Sequence, residues 1–575
     1  MQSNQNIEIA EHAAVERILN VYFREQNLYN AQPEQNMWHI TLGPSKTLIG
    51  KFNYWSVMGH HTYHPVMCAQ DNGTSSQLAP MEVIEHVFEM LAQQTEDEDK
   101  TGLKATLHNI YKDINNSVKR TALYLTRAQQ QQTEDEYIIS EQSLYLGHPF
   151  HPTPKSSVGF SEEDLLHYAP ECHAQFQLYY IQVDRSIMLE RYVEGRAAAV
   201  NELVLQLAQL DTDDIDDGYT LLPLHPYQIT VLKDNAKFKQ WMDDGLIKDI
   251  GISGHYVYPT SSVRTVFSKE LNIYLKLPIN VKITNFVRTN DYEQVERTID
   301  AANVIASIKT DYETKHFKLM FEEGYRALKY SSEAGAFDLL ANTAMIVREG
   351  IEDYHSEKQI HVLASLFETM PHEPDSMLGD LITQSGLSDE EWLSAYLDIT
   401  LYPMLELLSE TGISLEAHVQ NTLIEFKDGH PQVCYVRDLE GVCIAEDIAK
   451  RAQIIPNIIQ SDSPVVYSNE AAWHRFKYYI IVNHLGHLVA TMGKRVGSET
   501  TLWQTVRNKL LNWSQDASTS AQMKVYVDDL YERPTFSAKA NFMSKIKDCV
   551  DNPLYTNIPN PMFMEEEVRQ HDAQY

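Results

Sequence analysis

Residues 416–441 read EAHVQNTLIEFKDGHPQVCYVRDLEG. Two apolar runs of strand composition flank KDGHP (427–431), a turn signal, so the stretch predicts a β-hairpin. The hairpin interrupts segments that are helical by period and length: IHVLASLFETM (360–370), EEWLSAYLDITLYPMLELLSETG (390–412) and AAWHRFKYYIIVNHLGHLVATMG (471–493). A hairpin among helices makes the fold α+β. With the turn centred between Gly429 and His430, Asn421 stands opposite Asp438. Directly paired residues have Cα atoms roughly 4.5–5.5 Å apart. An amide oxygen and a carboxylate at that separation suit one hard cation such as Mg2+; a buried Asn–Asp hydrogen bond uses the same geometry. Glu416 and His418 crowd further polar groups at that end.

Outward from the hairpin, YPTSSVRTV (258–266) gathers Ser261, Ser262, Arg264 and Thr265 before an apolar run. Hydroxyls and a guanidinium there suit a ligand rich in anionic oxygens, or a well-satisfied surface turn. From Ile273 to Ile283 the odd positions are apolar, the period of a half-buried strand. Lys276, Asn280, Lys282 and Thr284 occupy the other face, and Arg288 follows. Pro278 cannot donate to a ladder and marks an edge or a break. A third motif, GHPFHPTPKSS (147–157), places His148, His151, Lys155, Ser156 and Ser157 on a loop, because Pro149, Pro152 and Pro154 forbid a helix. Zinc is disfavoured without a third ligand; contact with phosphate or carboxylate fits better. GHHTYHP (59–65) and NHLGHL (483–488) read as packing or hydrogen-bonding histidines. P-loop, dinucleotide and GxSxG signatures are absent.

The chain has 575 residues, too many for one core. Residues 1–139 read as mostly helical, with a β element near MWHITLGPSKTLIGKFNYWS (37–56). The polar runs TEDEDK (95–100) and QQQQTEDEY (129–137) read as loops or frayed ends. Residues 140–360 read as α+β, with FQLYYIQV (176–183) and YTLLPLHPYQITVL (219–232) strand-like and YVEGRAAAVNELVLQLAQL helical. Residues 361–575 hold the hairpin and further helices. A net charge of −33 argues against nucleic acid and requires any anion site to concentrate basic residues locally. Five scattered cysteines without CxxC fit a reducing cytoplasm. Neither a membrane span nor a signal peptide is expected.

GHPFHPTPKSSVGF, LLPLHPYQ, YPTSSVRTV, KLPINVKITNFVRT, EAHVQNTL and VRDLEG, with AKANFMSK (538–545) near the C-terminus, resemble in order the IucA/IucC family. These are siderophore synthetases that work independently of nonribosomal peptide synthetases. The resemblance is nearest to members that join citrate to 2,3-diaminopropionate. It implies ATP-dependent adenylation of a carboxylate, usually citrate, then capture by an amine, in a homodimer. It implies a cupped hand of thumb, fingers and palm, the palm with kinase-like topology. By motif, Ser262, Arg264, Thr265, Lys276 and Arg288 would surround the phosphates, with His148 or His151 and Lys155. Asn421 and Asp438 would hold Mg2+. Thr284, Arg288, His418 and Lys539, with Glu416 and Arg348, would face the carboxylate substrate. A phosphotransferase and a non-catalytic binder of citrate or a ferric siderophore remain the alternatives.

Overall fold

The computed structural model describes residues 2–28, 30–93, 100–128, 133–329, 338–369 and 375–563. Its central feature is an eight-stranded antiparallel sheet. In spatial order the strands are Met188–Tyr192, Glu322–Leu328, Met345–Glu349, Ile273–Lys276, Thr265–Ser268, Ile247–Pro259, Phe176–Asp184 and Tyr219–Leu224. Thr265–Ser268 and Ile273–Lys276 lie in its middle and are buried along their whole length, not on one face only. The side chain of Lys276 is therefore enclosed. Pro278 does mark a break: Ile279–Ile283 leaves this sheet and joins Phe286–Arg288 and Ser157–Val158 in a small sheet of its own.

Helices Gln2–Glu25, Pro80–Gln93 and Lys100–Arg127 pack with a five-stranded sheet (residues 37–77) around Phe23, Trp38, Phe52, Ile84 and Ile114. The C-terminal helices build the largest core, which contains Trp392, Tyr396, Leu405, Ile481 and Leu502. The hairpin strands Thr422–Lys427 and His430–Val436 lie in a four-stranded sheet, between Gln359–Val362 and the parallel strand Phe317–Leu319.

The hairpin register differs from expectation by two residues at the turn and by one at the Asn421 end. Lys427 faces His430 across a two-residue turn, in which Asp428 and Gly429 have φ of 50° and 76°. Such positive φ values belong to the turns that match strand twist. A Cβ on Gly429 would also meet Leu381 O at 2.2 Å. An irregularity after Glu425 then shifts the ladder, so Thr422 faces Val436 and the Arg437 N–H donates to Asn421 O (3.0 Å). Asn421 is thus aligned with Arg437, not Asp438.

Other readings change too. YTLLPLHPYQITVL is strand only to Leu224; His225 caps the helix Pro226–Leu232, whose first residue needs no N–H donor. IHVLASL forms a strand, Gln359–Val362, and one 3-10 turn, because its backbone pairs with the hairpin. Within QQQQTEDEY, residues 129–132 lie outside the described residues, as does most of TEDEDK. Asp135 caps the helix Glu136–Gln142 through Ile138 N, and that helix buries Tyr137 and Glu141. The helical segment 469–496 is continuous, but its middle, Lys477–Leu485, is a nine-residue π-helix. A C-terminal hairpin, Thr535–Lys539 with Tyr555–Pro559, was not foreseen.

Candidate active site

The sheet middle, the small sheet, the hairpin end and the π-helical segment enclose one cavity of about 770 Å³. His148, His151, Lys155, Ser262, Arg264, Thr265, Lys276, Thr284, Arg288, Arg348, Glu416, His418, Asn421 and Asp438 all line it. Lys539 is not on the wall; its ammonium stands over the rings of Tyr478 and Tyr479, 5.1 and 5.4 Å from their centroids.

Three residues on the wall hold left-handed backbone without being glycine: Val263 (φ 66°), Thr284 (φ 59°) and Asp438 (φ 72°). Such conformations cost of order 1–3 kcal/mol each and persist where surrounding structure dictates them. Val263 N–H donates to Thr260 O (2.8 Å), and the Thr260 hydroxyl donates to Thr265 O (2.9 Å), which fixes the 260–265 turn. Ser262 Oγ accepts from Thr265 N (3.2 Å). Thr284 N–H donates to Ser156 O (2.9 Å). At Asp438 the left-handed turn at the strand end brings the carboxylate to the cavity despite the shifted register.

The charged core is a network. Lys276 Nζ donates to Asp438 Oδ1 (3.0 Å) and Glu440 Oε2 (2.8 Å). Arg264 donates to Thr289 O (2.7 Å) and Asn290 Oδ1 (2.6 Å), with Glu440 at 3.8 Å. Arg348 donates to Glu322 (2.9 Å) and approaches Asp438 (3.6 Å), so it is a support for Asp438 as much as a ligand. Burial raises the pKa of Asp438, but Lys276 first, then Arg348 and Arg264, hold its carboxyl well below the usual range. Arg288 donates to Ile283 O and Thr284 Oγ1, both at 3.2 Å, and its buried Nε has no partner among the described residues. Burial, then the charge of Arg264, pushes its pKa down to about 10. Cations crowded in this way favour an anion.

His148, His151 and His418 each accept a backbone N–H at Nδ1, from Phe150 (3.0 Å), Thr153 (3.1 Å) and Gln420 (3.2 Å). That fixes the tautomer of the neutral ring, with its proton on Nε2 as a donor. Burial lowers all three pKa values. His418 Nε2 stands 3.7 Å from Glu416 Oε1, and Glu416 Oε2 stands 3.8 Å from Arg475. Lys155 is paired with buried Glu171 at 2.5 Å.

Sequence reasoning missed several participants. Glu440 and Arg475 are on the wall, as are Glu368, His60 and His487. Buried Glu141 forks onto Arg437 through both oxygens and accepts Ser261 N–H (3.1 Å), so it ties the helix Glu136–Gln142 to the 260–265 turn. Glu440 stood beside Asp438 within VRDLEG and could have been found there; the others come from segments distant in sequence.

Asp438 and Asn421 both line the cavity, the Asp438 carboxylate facing Lys276 (3.0 Å) and Arg348 (3.6 Å). The amide nitrogen of Asn421 donates to Glu416 O (3.1 Å), which leaves its carbonyl oxygen as a ligand. Among the described residues, no group of three or more His, Cys, Asp or Glu could hold a metal by itself. An ion taking one carboxylate, one amide and phosphate oxygens matches the habits of Mg2+.

Residues 136–368 match the IucA / IucC family, and residues 390–553 match the description "Ferric iron reductase FhuF-like transporter". The chain is 55% identical to the L-2,3-diaminopropanoate–citrate ligase of Staphylococcus aureus (strain NCTC 8325 / PS 47) over 99% of each chain. At that level of likeness the chain belongs to the IucA/IucC family, whose members include siderophore synthetases. It is also 25% identical to the spermidine–citrate ligase of Bacillus anthracis, over 98% of this chain and 99% of that one. In three dimensions it resembles ATP-bound aerobactin synthetase IucA from a hypervirulent pathotype of Klebsiella pneumoniae (TM-score 0.84, 21% identity, 96% of this chain and 100% of that one). Among the described residues no helix is long and apolar enough to cross a membrane.

Proposed function

We propose that the protein is an ATP-dependent acid–amine ligase of siderophore biosynthesis that adenylates citrate and joins it to 2,3-diaminopropionate. The observation that carries this reading is the single cavity in which Arg264, Lys276 and Arg288 converge with Asp438 and Asn421. Full-length likeness to a diaminopropanoate–citrate ligase supports the choice of substrates.

A carboxylate attacking the α-phosphorus of ATP brings two anions together. Arg264, Lys276 and Arg288 offset that repulsion and stabilise charge that builds in the transition state. Asp438 and Asn421 would hold Mg2+, which when bound would add charge neutralisation at the phosphates. The Nε2–H donors of His148 and His151, with Ser262, Thr265 and Lys155, orient the nucleotide. Thr284, Arg288, Glu416, His418 and Arg475 position citrate, while Arg348 supports Asp438. Lys539 lends positive charge from behind Tyr478 and Tyr479. The bond to pyrophosphate breaks as the acyl adenylate forms; attack by the amine then releases AMP.

Within this reading the enzyme is a cytoplasmic homodimer. Residues 1–139, 140–360 and 361–575 form thumb, fingers and palm of a cupped hand, the palm with kinase-like topology. Family resemblance supports these assignments, and light scattering tests the dimer. Function is tested by incubation with ATP, Mg2+, citrate and 2,3-diaminopropionate. AMP, pyrophosphate and a citryl amide of the condensed mass are expected. Formation of ADP would mark a phosphotransferase instead, and ligand binding without ATP consumption would mark a binding protein.

A further inference from the structure

GHHTYHP and NHLGHL each contain one histidine that packs and one that faces the cavity. His61 accepts Ser56 N–H at Nδ1 (3.1 Å), and His484 bonds with the Tyr396 hydroxyl (2.6 Å) and Ala417 O (2.9 Å). His60 and His487 instead stack on each other at the cavity wall, with centroids 4.8 Å apart and planes inclined by 21°. His60 is 5% exposed, and its Nε2 has no hydrogen-bond partner among the described residues.

The surroundings form a recess. Phe150 stands edge-on to His60 (4.6 Å), and Phe367 packs against His487 (4.6 Å). The next residue, Glu368, is also on the wall and accepts N–H from Leu146 (3.0 Å) and Gly147 (2.7 Å). Asn483, from the π-helical segment, lines the same cavity. His148 and His418 line the same cavity as this pair.

The two sets of histidines differ in chemistry. The rings fixed by backbone N–H groups offer donors, which suit anionic oxygens. No backbone N–H fixes His60 or His487 among the described bonds, so either can offer a lone pair. Burial first, and then cationic groups that include Arg24 and Lys494, keeps both neutral. Two neutral imidazoles are acceptors for a neutral amine, while burial raises the pKa of the Glu368 carboxyl, which already accepts backbone N–H bonds.

We infer that the cavity wall at the stacked His60 and His487 docks the acceptor, a short primary amine, against the activated carboxyl. This assignment rests on the adenylating reading above. The amine nitrogen uses its lone pair to form the C–N bond to the acyl carbon. The acyl C–O bond to phosphate breaks, and AMP leaves with that electron pair. The proton shed by nitrogen passes to solvent water.

The test compares two nucleophiles in parent enzyme, His60→Ala, His487→Ala and the conservative His487→Gln, with ATP, Mg2+ and citrate. Hydroxylamine is small and traps an acyl adenylate as a hydroxamate without a docking site. 2,3-Diaminopropionate requires the recess. Expected are hydroxamate yields within about twofold of parent in all variants, with KM for the diamine raised at least tenfold in the alanine variants and partly restored by glutamine. Unchanged KM for the diamine overturns the inference, and so does parallel loss of hydroxamate and amide in every variant. Absence of hydroxamate from the parent enzyme would refute the adenylating reading itself.

Discussion

Asp438 shows how one residue binds the account together. Its left-handed backbone aims it at the cavity, and Lys276, Arg264 and Arg348 keep it ionised. It should not titrate between pH 5 and 8, so the pH profile of adenylation has to come from other groups. Asp438→Asn leaves those cations short of a counter-charge and, on the proposed reading, weakens the Mg2+ site. We expect citrate-dependent exchange to fall by at least about 10²-fold, comparable to loss of a preorganised electrostatic partner. The Mg2+ concentration for half-maximal activity should rise, and a Mg2+ titration checks it. At this scale the sequence was informative where residues are close in the chain. Arg264, Lys276, Thr284 and Asp438 stood in quoted motifs, and VRDLEG also held Glu440. Arg475 and Glu368 gave no local signal, and His60 and His487 stood in motifs read as packing or hydrogen-bonding, because only the folded chain brings them to the wall.

Elements place these residues through ties between distant segments. Glu141, on a short helix that begins at the end of a run read as a polar loop, holds Arg437 and Ser261 N together. The pattern was illegible because the helix is short and its burial depends on partners beyond residue 260. Glu141→Ala strands a buried guanidinium, and breaking such a pair costs about 3–5 kcal/mol. A lowered thermal midpoint and weaker nucleotide binding are expected, measured by calorimetry and nucleotide titration. Glu25 ties the N-terminal helix to the segment after Lys539, accepting N–H from Phe542 (2.9 Å) and Met543 (2.7 Å). Burial raises its pKa to about 7, against the opposing effect of those bonds. Between its ordinary value of 4.5 and about 7 the folded chain holds the extra proton. Stability from this group is therefore complete below that window and declines as pH rises through it, by roughly 3 kcal/mol in total. Glu25→Gln should flatten that slope in thermal melts between pH 5 and 7.5. The hairpin itself was legible from KDGHP, but its register was not. A two-residue turn and one irregularity shifted it, and neither follows from alternation alone.

The whole molecule carries a charge of −33 yet concentrates cations on one internal wall. Their mutual repulsion is relieved by an anion, so the nucleotide should stabilise the fold by mass action. At 100 times its dissociation constant that amounts to about 2.7 kcal/mol. ATP with Mg2+ should raise the thermal midpoint of the parent and raise it much less in Arg288→Ala. The α+β class was readable because helical and two-residue periods both recur along the chain. The enclosure of one cavity by segments from residue 60 to residue 487 was not, since no local pattern encodes it. The most direct test of the account is ATP–pyrophosphate exchange in the presence and absence of citrate, for the parent and for Arg264→Ala. Exchange that requires citrate and slows by about 2–4 kcal/mol in barrier in the variant is predicted, as for loss of one or more preorganised donors. Exchange independent of citrate, or as fast in Arg264→Ala as in the parent, would contradict it.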